Sequence, residues 1–495
     1  MFTTLLIFVS IVVLFYKYVT YRQSYWKRKG IKGPKPTFLA GNLFNSFLQK
    51  EAFADDVDRI YKQYKDRQGV IGIYQLLKPT LMVTDSQIVK HVLVENFKNF
   101  HMNGFEKLLN EKSDPLLAYN PFFRSGDAWK DKRSEVTPAF SPARIKAMYP
   151  LIESVCEKMK EYIEKAANSG QALEGKDLSS RYTCDVVTKC IFSADAMSFE
   201  NENNEIRKQA ANIFGSSFFS IIFFTMMEIC PALFKTLRIG FVPKATEAFF
   251  RDLMRQAIDH RQKSNVNSQD YLDFLLQMQK KKGLSDLEVA ASGITFFLDG
   301  LETSAVGISY ILYELASNKE VQDKLREELK SAENLDYDTL VNLPYLDQVF
   351  HESLRMHPPA GFLNRVCTEP IELDIGKEKK FFVEKGTTLL LPIHSIHYDD
   401  ANYDEPEKFK PDRFNDGAIK DYRDNGKWLT FGDGPRTCLG QRFAKAQSKA
   451  CIATILLNFE ISVNEKTMTP LRLDPKDFLG SALGGIWLNF KKINN

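Results

Sequence analysis

The residues best suited to chemistry lie in a glycine-rich loop near the carboxyl end of the 495-residue chain. Residues 428–444 read WLTFGDGPRTCLGQRFA, and an apolar and basic run follows Cys438. Glycine and proline disfavour a helix or strand within the loop, whereas the run after it predicts the start of a helix. We therefore expect Cys438 near a helix N-terminus, where free N–H groups and the helix dipole favour an anion. A thiol in that place should ionise readily, and the thiolate is the form that binds a metal.

Two simpler interpretations compete with a metal ligand. A lone cysteine is most often a small buried apolar side chain. The glycines at 432 and 434 are also compatible with a dinucleotide-binding loop, but the third glycine of that pattern would fall at Thr437, and no apolar strand precedes it. Neither interpretation accounts for the joint spacing of Phe431, Gly434, Arg436, Cys438 and Gly440.

This stretch resembles the haem-binding loop of the cytochrome P-450 monooxygenases, F-x-x-G-x-R-x-C-x-G. The resemblance implies that Cys438 is the axial thiolate ligand of haem b, iron protoporphyrin IX. It implies that Phe431, Gly432 and Gly440 shape the loop against the cofactor, and that Arg436 binds a carboxylate on its rim. The implied fold is mainly α with small β-sheets (α+β), a single-domain cytochrome P-450 fold with haem between the family's I and L helices.

Other arginines match the family's cofactor-binding positions. Trp129 and Arg133 stand at i and i+4 on one face of a predicted helix. By itself, such a pair is more often a core tryptophan beside a solvated arginine. In the family, a W-x-x-x-R pair contacts the haem propionates, and Arg365 resembles a strand arginine that does the same. The resemblance thus implies that both arginines and Trp129 bind the cofactor together with Arg436.

A long helical pattern over residues 285–316 contains FFLDGLETSA. Ser285 and Glu288 have the spacing of a capping box, which predicts its start. Thr303 can turn its hydroxyl toward a carbonyl one turn earlier, and Glu302 beside it supplies a carboxylate. The segment resembles the family's I-helix motif, [A/G]-G-x-[D/E]-T, which implies that Glu302 and Thr303 deliver protons when oxygen is reduced.

Asp299 departs from that motif, which has a small residue in its place. A carboxylate that faces an apolar haem pocket is unfavourable unless it is paired, protonated or hydrogen-bonded. Three roles stay open: an ester to a haem methyl, as in the family's fatty-acid hydroxylases, a protonated or water-bonded group lining the pocket, or a salt partner for a basic substrate or side chain. We group Asp299 with Glu302 and Thr303 as a catalytic candidate.

Glu352 and Arg355 share one face of the amphipathic segment 343–356. Alone, such a pair is usually a surface ion pair worth under about 1 kcal/mol. With Arg413, in a P-x-R-F segment, the two resemble the family's buried Glu–Arg–Arg triad. The resemblance implies a role in fold integrity, and deleting one member should prevent haem loading because it leaves a buried charge unpaired.

The first residues form an apolar run that can extend to position 19 if Lys17 snorkels. About 18 residues is near the minimum for a membrane-spanning helix. No charge precedes the run and several basic residues follow it, which favours an uncleaved anchor over a signal peptide, with the rest of the chain in the cytosol. The expected organisation is an anchor over 1–20, a basic proline-rich hinge over 21–36 and a catalytic haem domain over 37–495. It resembles the family's microsomal branch, which implies the endoplasmic reticulum membrane.

Composition excludes several other functions. A net charge of +3 is too small to indicate nucleic-acid binding. The seven cysteines include no C-x-x-C pair and no Cys/His cluster, which argues against a zinc site and a disulfide framework. No flavin or nicotinamide motif occurs in the chain, so electrons must come from another protein.

The expected partners follow from the resemblance and from two surface features. The family's microsomal members take electrons from NADPH–cytochrome P-450 reductase, with NADPH acting only indirectly, and from a microsomal cytochrome b. Basic residues expected on the cysteine side form either an ordinary solvated surface or a docking surface for an acidic flavoprotein; they are Lys130, Lys132, Lys427, Arg442, Lys445 and Lys449. A phenylalanine-rich stretch at 214–250 is either a buried helix pair or a contact for lipophilic substrates and the bilayer.

Together these features predict a membrane-bound haem-thiolate monooxygenase that inserts one atom of O2 into lipophilic organic molecules, in xenobiotic, hormone or fatty-acid metabolism. One alternative is a haem-thiolate isomerase or dehydratase acting on peroxides without O2, which the intact Glu302–Thr303 pair disfavours. Another is a non-enzymatic haem or lipophile binder, which would need neither that pair nor a basic docking face. The chain most resembles invertebrate microsomal members of the family.

Overall fold

Helices make up most of the chain in the computed structural model, which describes residues 2–108, 111–214, 236–237, 240–264, 269–376 and 379–493. Three small sheets accompany them, so the expectation of a mainly α protein with small β-sheets is confirmed. Contacts group the chain into two compact units, neither of them continuous in sequence. The first comprises Met1–Gly104, Gly361–Asp404 and Tyr422–Arg436, and the second Phe105–Ala360, Glu405–Asp421 and Thr437–Asn495.

The first unit is built on a four-stranded sheet. Its strands, in spatial order, are Val70–Gln75, Lys78–Val83, Thr388–Leu391 and Leu363–Val366. The first two form the antiparallel hairpin that the alternation over 69–85 predicts, and the second pairs in parallel with the third. A separate antiparallel pair is formed by Ile371–Asp374 and Lys380–Val383. Branched apolar side chains of these strands, fully buried, make the core of this unit.

Short helices surround that sheet, and one long apolar helix begins the chain. The helices are Phe2–Arg22, Tyr25–Arg28, Phe44–Phe47, Phe53–Tyr64, Ser86–Lys90 and Ile393–His397, with single π- or 3-10 turns at His91–Glu95, Phe97–Asn99 and Gly434–Arg436. Within the described residues, Phe2–Arg22 is the one helix long and apolar enough to cross a membrane, with a mean hydropathy of 2.0. Its large apolar side chains are almost all exposed.

Trp26 fixes the segment after that helix to the sheet. Its side chain is buried, and its indole N–H donates to the Ile73 carbonyl oxygen at 2.9 Å. A β-carbon at Gly72 would come within 2.2 Å of the indole Cγ, so only glycine allows this close approach. Part of the predicted 21–36 hinge therefore packs on the first unit.

The second unit is helical and contains the long helix Asp286–Ser317. Its other helices are Pro115–Ala118, Gly126–Val136, Pro142–Ser169, Gly175–Phe192, Glu205–Phe214, Lys244–Ser264, Tyr271–Lys282, Lys319–Ser331, Tyr337–Asn342, Pro344–Met356 and Gln441–Asn458, with 3-10 turns at Phe105–Leu108, Pro121–Phe123, Thr137–Phe140 and Pro411–Gly417. Helix Ala418–Asp424 runs across the boundary between the two units' segments. A three-stranded sheet contains Leu173–Glu174, Trp487–Lys492 and Phe459–Val463 in that order.

The long helix positions the chemistry of the second unit. The predicted capping box starts it: the Ser285 hydroxyl accepts from the Glu288 N–H, and the Glu288 carboxylate accepts from the Ser285 N–H. Most of its length is buried, and it packs against helices Gly175–Phe192, Pro344–Met356 and Gln441–Asn458. The residues that it carries are therefore held in the second unit together with the helix that follows Cys438.

An aromatic cluster stabilises this arrangement. The Phe296 ring on the long helix lies edge-on to Tyr271, Phe443 and Phe140, with ring centroids 4.7, 4.9 and 5.1 Å away. Edge-to-face contacts of this kind each add about 0.5–1.5 kcal/mol beyond their area of burial. Within the phenylalanine-rich stretch, residues 215–235 and 238–239 lie outside the described residues, and the expectation about them stays untested.

Candidate active site

Cys438 lies just before helix Gln441–Asn458, as the loop pattern predicts. Gly440 occupies the N-cap position, and the Cys438 sulfur accepts from the backbone N–H groups of Gly440 and Gln441. These donors belong to the first turn of a helix and have no partner inside it. The Cys438 side chain is exposed, whereas the other five described cysteines are buried. The sulfur is thus both held by the helix and accessible to a ligand.

In the chain without a metal, the protein around Cys438 opposes the ionisation that the helix terminus favours. Burial by the surrounding protein raises the pKa of the thiol to about 11, and the nearby Asp299 carboxylate adds to this rise. The Gly440 and Gln441 N–H groups and the Arg133 guanidinium oppose it without cancelling it. Sequence reasoning counted the helix terminus and omitted the desolvation, which is the larger effect here. A bound cation would oppose this rise and favour the thiolate.

Trp129 and Arg133 lie on helix Gly126–Val136, four residues apart. The Arg133 guanidinium donates from Nη2 to the Thr437 carbonyl oxygen at 2.6 Å, which brings it to the residue before the cysteine. Burial lowers the pKa of Arg133, and the Cys438 sulfur acts in the opposite direction. The Trp129 side chain is buried in the same helix. Arg133 is therefore an ordered part of the cysteine's surroundings, and Trp129 lies one turn before it on the same helix.

In the first unit, the residues just before the cysteine form a tight loop. Gly432 and Gly434 both have φ of 68°, in the left-handed region. A β-carbon at Gly434 would come within 2.0 Å of the Leu93 carbonyl oxygen, so this glycine is required by close packing as well as by its dihedral angle. Phe431 packs beside Trp428 with ring centroids 5.8 Å apart. Arg436 donates from Nε to the His101 carbonyl oxygen at 2.5 Å.

Among the residues that the structure describes, no carboxylate lies beside the buried cation Arg365. It lies on strand Leu363–Val366 and is 4% exposed. Its Nη1 donates to the Asn364 carbonyl oxygen at 2.9 Å, but its Nε has no hydrogen-bond partner among the described residues. Burial alone lowers the pKa of this guanidinium to about 10. A buried charge without a counter-ion is unfavourable, and an anionic group on a cofactor would relieve the cost.

Thr303 and Glu302 on the long helix make different contacts. The Thr303 hydroxyl donates to the Asp299 carbonyl oxygen at 2.6 Å, the back-bond that its position predicts. The Glu302 carboxylate lies 3.6 Å from Lys176 Nζ, which in turn lies 2.7 Å from an Asp477 oxygen. Burial raises the pKa of Glu302, and Lys176 opposes that rise. Sequence reasoning missed Lys176 and Asp477, because nothing in their local pattern connects them to the long helix.

Asp299 has an exposed side chain on the same helix. Its carboxyl accepts a hydrogen bond from the side chain of Asn120, which lowers its pKa, but desolvation by the surrounding protein has the larger effect and raises the pKa to about 7, even though solvent reaches the side chain. The structure thus places Asp299 with a neutral partner. Asn120 was not identified from the sequence, where it is one polar residue in an irregular segment.

The structure brings Glu352, Arg355 and Arg413 together. Glu352 accepts from Arg355 Nε at 2.7 Å and Nη2 at 3.0 Å, and from Arg413 Nε at 3.2 Å. The Glu352 and Arg355 side chains are fully buried, and Arg413 is nearly so. The Lys410 N–H and the Pro406 carbonyl oxygen complete the network, at 2.9 Å from Glu352 and 2.8 Å from Arg355. This is a bidentate charged network with its hydrogen bonds made within the protein.

The expected basic surface needs correction at two positions. Lys449 is fully buried: its ammonium donates to the Val341 carbonyl oxygen at 2.8 Å and lies 3.0 Å from the Asp347 carboxylate. Lys132 is 8% exposed and pairs with Glu135 at 2.9 Å. Both are paired within the second unit because their helices pack on the face that carries them. Lys130 and Arg442 are exposed as expected.

These residues fit a haem with a thiolate ligand. Within the second unit, the accessible Cys438 sulfur at a helix terminus and the Arg133 guanidinium beside it suit the iron and a carboxylate of protoporphyrin IX. The site therefore defines the class of haem-thiolate proteins, in which a cysteine thiolate binds the iron.

Comparisons with known proteins give the family. The sequence model described as Cytochrome P450 matches residues 31–487. The chain is 36% identical to "Probable cytochrome P450 28a5" of Drosophila melanogaster over 98% of both chains, and 37% identical to "Probable cytochrome P450 28d1" of the same organism over 99% of both. It is 30% identical to "Cytochrome P450 6A1" of Musca domestica over 96% of this chain and 95% of that protein. The chain belongs to the cytochrome P450 family. It is an oxidoreductase of the monooxygenase type whose cofactor is haem b with a cysteine thiolate ligand.

Proposed function

We propose that this protein is a membrane-anchored monooxygenase that inserts one atom of O2 into lipophilic organic molecules, with electrons from NADPH delivered by a reductase. The observation that carries the proposal is Cys438: its sulfur is accessible, it accepts from two N–H groups of a helix terminus, and Arg133 lies beside it. In the proposal, Cys438 is the axial ligand. When bound, haem b supplies the redox-active iron at which O2 is reduced.

The remaining cofactor-binding roles go to four side chains. In the proposal, the carboxylates of the haem are bound by Arg365, Arg436, Trp129 and Arg133. Arg365 is the best supported of them, because its buried guanidinium has an Nε without a partner among the described residues. Phe431, Gly432 and Gly440 shape the loop: the two glycines remove side chains that would keep a flat cofactor away from the backbone.

Thr303 and Glu302 are assigned to proton delivery. The Thr303 hydroxyl directs its proton to the Asp299 carbonyl oxygen, so its own oxygen is available to accept a hydrogen bond from water in the site. Glu302 lies on the next position of the helix, and burial keeps its proton affinity above that of an ordinary glutamate. A rise in its pKa brings a carboxyl closer to the range in which general acids and bases work. Lys176 keeps this carboxyl in place.

The membrane and partner assignments rest on the apolar helix and on the exposed basic residues. Helix Phe2–Arg22 would anchor the chain at the endoplasmic reticulum, as a single pass or peripherally, with a basic hinge over 21–36 and a cytosolic haem domain over 37–495. Lys130 and Arg442 are candidates to dock NADPH–cytochrome P-450 reductase, and a microsomal cytochrome b would use the same charge complementarity.

The first test is the carbon monoxide difference spectrum of the dithionite-reduced protein. A Soret band strongly red-shifted from that of histidine-ligated haem, lost in Cys438→Ala, supports thiolate ligation by this residue. A globin-like band in folded wild-type protein would refute it. NADPH consumption with purified reductase and a lipophilic substrate then separates a monooxygenase from an isomerase or dehydratase, which would turn over organic peroxides without NADPH, and from a binder, which would consume none.

A further inference from the structure

A buried polar contact joins the two helices that carry the chemistry of the second unit. One is the long helix with Thr303, and the other is helix Gln441–Asn458, which begins just after Cys438 and is called the cysteine helix below. Gln447 on the cysteine helix donates from Nε2 to the Ser304 hydroxyl oxygen on the long helix, at 2.8 Å. Gln447 is 0% and Ser304 8% exposed. The contact therefore acts on the residue that adjoins Thr303.

The same two helices also meet at an aromatic pair. The Phe296 ring on the long helix and the Phe443 ring on the cysteine helix have centroids 4.9 Å apart. Thr303 follows Phe296 by seven residues, which places the two on one face of the long helix. Thr303 thus lies, in sequence, between the aromatic contact and the Ser304 contact. The two contacts together hold this stretch of the long helix against the cysteine helix.

The Gln447 amide makes few hydrogen bonds for a fully buried group. Its Nε2 donates to Ser304, but its Oε1 has no hydrogen-bond partner among the residues that the structure describes. A buried acceptor without a donor costs more free energy than one neutral hydrogen bond contributes, whereas an apolar side chain of similar shape avoids that cost. The stability of the fold therefore does not explain an amide at this position.

Gln322 is a contrasting buried amide in the second unit, also 0% exposed. Its Nε2 donates to the Leu315 and Ile461 carbonyl oxygens, both at 2.9 Å. Its Oε1 accepts from Arg326 Nη2 at 2.7 Å and from the Ile461 N–H at 3.1 Å. An amide that is bonded at both ends stabilises the elements it joins. Among the described residues, the Gln447 side chain is bonded only to the long helix, which suits a role in positioning that helix.

We propose that Gln447 is a positioning residue for proton delivery, which holds Ser304, and with it Thr303, in place relative to the cysteine helix. The inference rests on the proposed function, in which Thr303 delivers protons. In the productive reaction, O2, two electrons and two protons convert a C–H bond of the substrate to C–OH and release one water. When Thr303 is displaced, the same two electrons and two protons leave with O2 as H2O2, and the substrate is unchanged.

The first test measures hydrogen–deuterium exchange on the haem-loaded full-length protein in nanodiscs. In Gln447→Leu, backbone amides in peptides that cover Thr303 should exchange about fivefold faster or more, because the segment opens more often once it is no longer held. Peptides from the first turns of the long helix should exchange as in the wild type. The unfolding temperature should not fall, because the variant also removes the acceptor that lacks a donor.

The second test follows the use of electrons, with purified reductase, NADPH and 7-ethoxycoumarin as an uncharged lipophilic probe. In Gln447→Leu, product per NADPH should fall about fivefold, with a matching rise in H2O2, and the KM for the probe should stay within about twofold, because a small displacement affects the chemical step more than binding. Gln447→Glu should restore most of the product. Burial favours its protonated form, which can donate to Ser304.

Three further variants make the assignment specific. Ser304→Ala removes the other partner and should reproduce the effect. The double variant Gln447→Leu/Ser304→Ala should be no worse than either single variant, because both break the same bond. Tyr182→Phe is the matched control. The Tyr182 hydroxyl donates to the Gln447 backbone carbonyl oxygen at 2.8 Å, so this variant removes a bond of the same length to the same residue, but one without a partner on the long helix. It should leave product per NADPH unchanged.

The outcomes separate this inference from the proposed function. Wild-type exchange around Thr303 in Gln447→Leu, or additive losses in the double variant, would overturn the inference. Faster exchange throughout the protein with a lower unfolding temperature would also overturn it, since Gln447 would then be structural. The exchange measurement needs no substrate, so it decides even where the probe is not oxygenated. The carbon monoxide spectrum is recorded on the same preparations. If the thiolate-type band is missing in the wild type, the proposed function fails; if the band is present and Gln447→Leu behaves as the wild type, only the positioning inference fails.

Discussion

Arg355 and Arg365 are both buried arginines, but among the described residues only Arg355 is paired with a carboxylate. Arg355 is fully buried and makes a bidentate ion pair with Glu352, supplemented by a backbone carbonyl oxygen. Arg365 is almost as buried, yet it has one bond to a neighbouring carbonyl oxygen and an Nε without a described partner. A buried charge that is paired within the protein contributes to the stability of the fold. A buried charge without a partner lowers that stability unless a ligand of opposite charge binds to it. The difference distinguishes a structural arginine from a cofactor-binding one.

The same distinction separates the acidic residues of the long helix. The Glu302 carboxylate lies 3.6 Å from Lys176 Nζ, whereas the partner of Asp299 among the described residues is the neutral amide of Asn120. The two lysines that follow Cys438 on its helix both pair with Asp347, but Lys449 is fully buried whereas Lys445 is partly exposed. Each contrast can be tested by removing one charge and asking whether stability or ligand binding changes.

The largest effect is expected from breaking the buried ion-pair network of Glu352, Arg355 and Arg413. Glu352→Gln leaves the Arg355 and Arg413 charges buried without their carboxylate, and should lower the free energy of unfolding by about 3–5 kcal/mol. Thermal and urea unfolding of the haem-free protein measure this. Asp252→Asn breaks a pair of the same i, i+3 spacing with Arg255 at the surface, and should leave the unfolding midpoint unchanged. A Glu352→Gln protein as stable as this control would contradict the assignment of the triad to fold integrity.

Cys438 should react slowly in the haem-free protein. Because burial raises its thiol pKa from an ordinary 9.0 to about 11, the thiolate fraction at pH 8 is about a hundredfold lower than that of an unshifted thiol. The rate of alkylation by iodoacetamide, followed by mass spectrometry of the Cys438 peptide, should rise about tenfold per pH unit up to pH 10. A rate that levels off near neutral pH would show instead that the helix N–H groups dominate. Cys438→Ser is the control for reaction elsewhere.

Arg365→Met should have opposite effects on the two forms of the protein. Removing an uncompensated buried cation should leave the haem-free protein as stable as the wild type or more stable, but weaken haem binding by about tenfold or more, as loss of a buried charge-assisted contact does. Unfolding of the haem-free form and competitive haem transfer to apomyoglobin measure the two. If Arg365→Met destabilised the haem-free protein as Glu352→Gln is expected to, Arg365 would be structural and the comparison would fail.

The smallest effects are expected at the lysines. Lys130→Met, at an exposed position, should reduce the association rate with reductase about twofold at low salt and not at high salt. Lys449→Met should not alter the association rate, because its ammonium lies inside the second unit with Asp347 and the Val341 carbonyl oxygen. Stopped-flow reduction at two ionic strengths distinguishes them. A salt-dependent effect of Lys449→Met would show that this lysine reaches the surface in solution.

Much of the fold and the site was predictable because its signals are local. The capping box at Ser285, the back-bond of Thr303 and the shared face of Glu352 and Arg355 each depend on residues three or four positions apart on one helix. The hairpin over 69–85 follows from alternation along adjacent strands. Such patterns are set by backbone geometry, so the sequence alone predicts them.

What only the tertiary structure decided depends on burial and on distant partners. Local spacing could not predict that Lys449 is enclosed, that Asn120 reaches Asp299, or that Lys176 reaches Glu302. It also could not predict that desolvation outweighs the helix terminus at Cys438. The sequence by itself determined which groups are present and which neighbours they have along the chain. Packing decided how strongly each group is desolvated and which charges lie close to it. Desolvation and neighbouring charges together determine whether a buried charge stabilises the fold or is available to bind a ligand.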